Sequence, residues 1–232
     1  MRYTLSRISR CDSLNISKIV TRSLSTCGDD SPLNTVILLG STREKRIGHR
    51  VGEYLVSRLH ERGGHSVTVL DPRTTGEGFF MQLMEKTHFH YREGETVPPV
   101  LDETAAVLRA ADCYIVCTPE MNHAIAPGLT NMMNYFGSKI YAKKPSGIAT
   151  YSAGMWGGAR CAVSLRAYLG ELGCIPVSAT FQQAGAWKKS AFDADGQLDP
   201  ESVAAKSAGR MIDQLEWHAR AMKAARAIEN DS

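Results

Sequence analysis

No apolar run in this 232-residue chain approaches the roughly 20 residues that a membrane-crossing helix needs. No C-x-x-C pair occurs among its six cysteines, Cys11, Cys27, Cys113, Cys117, Cys161 and Cys174, so neither a zinc framework nor a thioredoxin-type motif is suggested. Cysteine usage of this kind fits a reducing compartment. A strong charge of either sign is also missing. The net charge of +3 with His neutral is too mild to argue for a nucleic-acid partner. What remains is an ordinary globular composition, 43% hydrophobic and 22% charged, long enough for one domain with a substantial core.

Acids are nearly absent from the N-terminal stretch, where Asp12 is the only one before Asp29. The same stretch carries Arg2, Arg7, Arg10, Lys18 and Arg22 among six serines from Ser6 to Ser25, without the continuous apolar segment of a secretory signal. Such a composition matches a mitochondrial-type transit peptide, the alternative being a basic tail on a cytoplasmic protein. Residues 1–33 are therefore set apart, and one domain is expected over 34–232.

Within that domain, strand and helix patterns alternate. Thr35-Val36-Ile37-Leu38-Leu39, Ser66 to Asp71, Cys113 to Thr118, Ser146 to Tyr151 and Ile175 to Ser178 read as five strands. Pro176 places the last of them at an edge or makes it a strand start. Cys113 and Cys117, four apart, share one face of their strand and read as buried thiols. Apolar residues at intervals of three and four mark helices around Val51–Leu59, Leu101–Ala111 and Ala162–Leu172. A short helix begins near Pro127, and a long closing helix follows Pro200. Alternation of this kind implies an α/β fold: a doubly wound sheet of five parallel strands in the order 2-1-3-4-5, with ligands beyond the carboxyl ends of the strands.

Three loops at those ends carry polar or glycine-rich chemistry. The first, Gly40-Ser41-Thr42-Arg43-Glu44-Lys45-Arg46-Ile47-Gly48, opens a helix and offers hydroxyls, guanidinium groups and backbone N–H groups to an anion. It matches neither the G-x-x-x-x-G-K-S/T nor the G-x-G-x-x-G pattern. A plain βα turn with a solvated basic face is the alternative. The second runs from Thr118 to Leu129 between Pro119 and Pro127. Its Glu120 and Asn122 can hydrogen-bond a flat heteroaromatic edge and a polyol, or Asn122 can simply cap its own turn. The third, Tyr151-Ser152-Ala153-Gly154-Met155-Trp156-Gly157-Gly158-Ala159-Arg160, has three glycines that permit close backbone approach and a tryptophan that offers an aromatic face.

Together, Gly40-Ser41-Thr42-Arg43, Pro119-Glu120-Met121-Asn122-His123, Pro127-Gly128-Leu129-Thr130-Asn131 and the third loop resemble the NADPH-dependent FMN reductase family, which includes quinone and azo-compound reductases. The resemblance covers about Thr35 to Glu216. It implies a flavodoxin-like fold with FMN bound and NADPH as co-substrate. Hydride would pass from NADPH through the flavin to a quinone-like or free flavin acceptor, the two substrates alternating in a ping-pong sequence. It implies that Ser41, Arg43, Arg46 and Gly48 surround the FMN phosphate. Pro119, Glu120 and Asn122 would lie along the ribityl chain and ring, and Ser152, Gly154 and Gly157 would border the ring. The start of the helix after the third loop would stabilise negative charge on the reduced ring. A small-molecule electron acceptor, no nucleic acid and a homodimer or homotetramer complete the expectation. No protein side chain is nominated as catalytic, because the cofactor carries the chemistry. Met121 stands where the family has Tyr, Ala124 where Ser is frequent, and Arg46 where a small polar residue is usual. A flavodoxin-type electron carrier or a flavin-binding regulatory module would use the same residues without turnover.

The stretch from Pro72 to Val100 has no clean period, yet it carries Phe79, Phe80, Met81, Leu83, Met84, Phe89 and Tyr91. It reads either as a lid or subunit contact or as a satellite core against the sheet. His88 and His90 lack an evident third metal ligand nearby.

Overall fold

The computed structural model describes residues 31–230; the expected transit segment lies outside the described residues except for its last three positions. Strand β1 (Leu33–Leu39) begins inside that segment, and Leu33 is fully buried, so the folded unit starts before residue 34. After it come α1 (Gly48–Arg62), β2 (His65–Leu70), α2 (Pro99–Ala110) and β3 (Cys113–Met121). A two-residue strand β4 (Ala124–Ile125), α3 (Pro127–Asn134), the single turn α4 (Ser138–Tyr141) and β5 (Pro145–Tyr151) follow. The chain closes with α5 (Ala159–Glu171), β6 (Ile175–Gln183) and α6 (Val203–Asn230).

The five long strands are parallel and lie in the order β2-β1-β3-β5-β6, the flavodoxin-like order expected from the alternation. Only the numbering differs, because β4 intervenes as an antiparallel partner of β3. β1 and β5 are buried almost throughout, as is β3 up to Thr118, because helices cover both faces of a central parallel sheet. Alternate residues feed separate cores. Val36, Leu38, Tyr114, Val116 and Ile148 pack with α2, α3 and α5. Ile37, Leu39, Cys113, Ile115, Cys117 and Ala149 pack with α1 and α6 on the opposite face. Both thiols are buried on one strand face, and burial pushes each of them up to about 12.

β6 is the edge strand, as Pro176 implied, but it continues to Gln183. A register irregularity opposite Ser146–Ile148 breaks the alternation there and concealed the second half of the strand. Between Pro72 and Val100 the satellite-core reading holds for part of the segment. Phe80 is buried with ring centroids 5.2 Å from Tyr135 and 5.4 Å from Phe79. Asn131 pins this segment through the carbonyls of Phe80 and Gln82 and the N–H of Met84. Met81, Leu83 and Phe89 remain exposed. His88 pairs with Asp102 at 2.8 Å and His90 with Thr87 at 2.7 Å, so each imidazole has its own partner.

Candidate functional site

Register brings the strand ends to one edge: Leu39 lies opposite Cys117, Pro119 opposite Tyr151, and Tyr151 opposite Gln183. The loop 40–47 leaves β1 there and leads straight into α1. Two close approaches fix it. A Cβ at Gly128 would collide with the Thr42 side chain, and one at Gly48 would collide with the hydroxyl of Tyr151. Ser41 is buried beside Gly48. The Tyr151 hydroxyl is buried against the Ser41 side chain without a well-formed hydrogen bond among the described residues, and burial holds its phenol well above the ordinary range although Ser41 and the Arg46 charge pull it down.

The start of α1 is open. Ile47, at the cap position, supplies no side-chain hydrogen bond, and no acid lies in the first turn. No side chain among the described residues therefore compensates its first-turn N–H groups or dipole. Arg43 and Lys45 are exposed and make no hydrogen bond or ion pair with another described residue. Arg46 departs from the role that the resemblance implied. Its guanidinium forks onto Asp71, with Nη1 2.6 Å from Oδ1 and Nη2 on Oδ2, and Nη1 also donates to the Ser41 carbonyl at 2.7 Å. It braces the loop from the side instead of presenting a free cation.

The second loop is a β-hairpin. β3 runs through Pro119, Glu120 and Met121, and pairs Glu120 with Ile125 and Met121 with Ala124. Asn122 and His123 form its two-residue turn at φ 51° and 62°. The strand tolerates Pro119 because β1 has already ended opposite Cys117, leaving one side without a ladder partner. The carboxylate of Glu120 does not face an open ring site: Oε2 accepts the N–H groups of Arg160 at 3.0 Å and Cys161 at 3.2 Å, and Arg160 lies 3.5 Å from Oε1. It closes the start of α5, which therefore has no free N–H groups there to stabilise charge on a ring. The physical reason is that unpaired first-turn N–H groups attract the nearest carboxylate.

The third loop is stitched to a fourth, residues 184–187, whose run Ala184-Gly185-Ala186-Trp187 carries no charged group to mark it. Ser152 N–H donates to Gln183, Ala186 N–H to Ser152, Gly185 N–H to Gly154, and the Trp187 indole to the Ala153 carbonyl at 2.9 Å. Gly154 has open space around it, whereas Gly157 is buried against Gln182 and Ala184, with its carbonyl accepting from Thr150. The close approach that its glycine permits is thus to β6. Met155, Trp156 and Trp187 stand exposed on this rim. Asp71, Arg73 and Trp187 join the edge from outside the three loops read in the sequence. For Asp71 the available signal was an acid at the carboxyl end of an apolar strand beside the first loop.

Residues 33–188 match the family described as NADPH-dependent FMN reductase. The chain is 35% identical to a quinone reductase of Escherichia coli over 81 residues, 34% of this chain and 43% of that protein. It is 32% identical to an NAD(P)H-dependent FMN reductase of Pseudomonas aeruginosa over 104 residues, 44% of this chain and 56% of that protein. The chain thus spans about half the length of these curated relatives. Among solved structures, the flavoenzyme NAD(P)H:(acceptor) oxidoreductase FerB of Paracoccus denitrificans superposes with a TM-score of 0.62 at 20% identity, covering 80% of this chain and 97% of that one. RosB, solved with 8-demethyl-8-formylriboflavin-5'-phosphate, gives 0.59 at 15% identity, covering 86% and 88%. At these identities the structural likeness speaks for the fold.

Proposed function

Because the chain belongs to the NADPH-dependent FMN reductase family, we propose that it is an FMN-dependent NAD(P)H oxidoreductase acting on a quinone-like or free flavin acceptor. The observation that carries this reading is the start of α1, uncapped among the described residues, with the buried Tyr151 hydroxyl and Ser41 beneath it and Arg43, which has no partner among the described residues, beside it. The residues fit a phosphate monoester. Backbone N–H groups at Gly48, the hydroxyls of Ser41 and Thr42, and the Arg43 guanidinium would hold it. When bound, FMN supplies the two-electron chemistry, taking hydride from NADPH and passing it to the acceptor.

The chain's own residues bind and orient. The hairpin backbone at Pro119–Met121 and the turn at Asn122 form one border of the ring site. Ser152 and Gly154 form the other, held in place by the fourth loop. Trp156 and Trp187 offer exposed aromatic faces on that rim. Lys45 adds positive charge at the mouth, where the phosphates of NADPH arrive. An open rim lets nicotinamide and acceptor use one face in turn, so the kinetics are ping-pong and the acceptor range broad. Assembly as a homodimer or homotetramer and import into mitochondria through residues 1–33 belong to the same proposal.

The experiment is to purify the protein, release its ligand by heat and identify it by chromatography. Steady-state rates over a grid of NADPH and quinone concentrations follow. FMN and parallel double-reciprocal lines are expected. FAD, or no flavin uptake after reconstitution, contradicts the cofactor. Intersecting lines contradict alternate occupancy, and retained FMN without NADPH oxidation identifies an electron carrier.

A further inference from the structure

The first loop is held from behind by two arginines. Arg46 Nη1 donates to the Ser41 carbonyl at 2.7 Å, and Arg73 Nη1 donates to the Thr42 carbonyl at 2.9 Å. One carboxylate touches both residues, the side chain of Arg46 and the backbone of Arg73. Asp71 takes the fork of Arg46, and its Oδ1 also accepts the N–H of Arg73 at 2.9 Å. Asp71 is itself locked at the end of β2. Its N–H donates to Thr75 Oγ1 at 3.0 Å, and its carbonyl accepts the N–H groups of Thr74 at 3.1 Å and Thr75 at 2.8 Å. The side chains of Arg46 and Asp71 are each 11% exposed.

A trans peptide plane points its C=O and the following N–H in opposite directions. Holding the carbonyls of Ser41 and Thr42 on the Arg46 and Arg73 guanidinium groups therefore turns the N–H groups of Thr42 and Arg43 away from those side chains. Neither N–H has an acceptor among the described residues. Two neighbouring N–H groups without internal acceptors are available to an anion.

We propose that Asp71 is a positioning residue for the phosphate of the flavin: through Arg46 and Arg73 it presets the loop so that the Thr42 and Arg43 N–H groups face the ligand. The proposal rests on the reading of this loop as the FMN phosphate site. It assigns Arg46 to the carbonyl side of the loop, while Arg43 supplies the charge on the ligand side. Without Asp71, the little-exposed Arg46 cation loses its counter-charge and its hold on Ser41, and the loop must be ordered at each binding event.

The test compares FMN with riboflavin, which has the same ring and ribityl chain but no phosphate. Apo wild type, Asp71→Asn and Arg73→Gln are titrated with each flavin, following flavin fluorescence. Asp71→Asn is expected to raise the FMN dissociation constant by about tenfold or more, and Arg73→Gln by about threefold, with riboflavin constants held within about twofold. An equal loss for both flavins makes Asp71 merely structural and overturns the proposal. FMN affinity that is unchanged or tighter in Asp71→Asn overturns it as well, since Arg46 would then have been freed to act on the phosphate. Should Asp71→Asn fail to fold, Arg73→Gln alters only an exposed side chain and decides alone: unchanged FMN affinity there overturns the proposal. A wild type that takes up neither flavin defeats the FMN reading itself. A wild type that binds FMN, with variants that match it, defeats only the assignment of Asp71.

Discussion

Two helices begin at the same edge of the sheet, and their starts have opposite fates. α5 receives the Glu120 carboxylate on the N–H groups of Arg160 and Cys161. α1 receives no side-chain cap among the described residues and carries no acid in its first turn. The dipoles are alike, so the difference lies in whether the protein supplies the anion or leaves that to a ligand. Cys161 shows what closure does. A thiol at a helix start is ordinarily favoured as thiolate, yet burial, with the Glu120 charge beside it, pushes this one up to about 12. The closed start is inert and structural; the open one is available for binding.

The largest expected effect comes from opening the closed start. Glu120→Ala leaves two first-turn N–H groups without their charged acceptor and should cost about 2–3 kcal/mol of apo stability, read by urea denaturation. Alkylation of Cys161 should quicken in the same variant. Unchanged stability would mean that the Glu120 contact does not hold α5. Arg43→Ala is the counterpart at the open start. It should weaken FMN binding by about 1.5–3 kcal/mol while the apo melting curve stays put. A drop in apo stability with no change in affinity would reverse the contrast drawn here.

A third variant asks whether acid sensitivity belongs to this edge at all. At the opposite, amino-terminal edge, burial raises the carboxyl of Glu216, but the hydrogen bonds and charges of His65 and Arg62 outweigh it and bring the group down from 4.5 to about 2. A carboxylate depressed in this way stabilises the fold above its unfolded value, and that stability is lost as the pH falls from about 4.5 toward 2. With Glu216 partly exposed, about 1–2 kcal/mol should disappear across that window in wild type and be absent in Glu216→Gln. Identical pH profiles would place the acid-sensitive group elsewhere. The smallest effect is expected from closing the open start. His49→Asp puts a carboxylate in the first turn of α1 and should stabilise the apo protein by about 0.3–1 kcal/mol while weakening FMN binding. Tighter FMN binding would contradict the account.

Much of the frame was legible in the sequence. Val36 to Leu39, Cys113 to Thr118 and Ser146 to Tyr151 are apolar runs because both faces of the central strands are covered, and helical spacing marked the covering elements. The order of the five long strands followed from right-handed alternation. What stayed hidden depends on the third dimension. Pro119 looked like a loop residue, because nothing local says that the neighbouring strand has already ended. Asn122-His123 lacks the glycine that usually signals a two-residue turn. The partners of Glu120 lie 40 and 41 residues away, and those of Asp71 include an arginine 25 residues back. Which cation faces a ligand and which faces a carboxylate was therefore not readable from the run Arg43-Glu44-Lys45-Arg46. The segment from Pro72 to Val100 withheld its role because its aromatic residues divide between the core, as Phe80 does, and the surface, as Phe89 does.

The open start of α1, not the closed start of α5, is the place proposed here for an anion. The most direct measurement follows backbone amide resonances of the apo protein as inorganic phosphate is added, an anion that carries no ring to disturb the rim. The account predicts saturable shifts at Thr42, Arg43 and Gly48, with the amides of Arg160 and Cys161 unmoved. Shifts confined to Arg160 and Cys161, or none at the first loop, would contradict it.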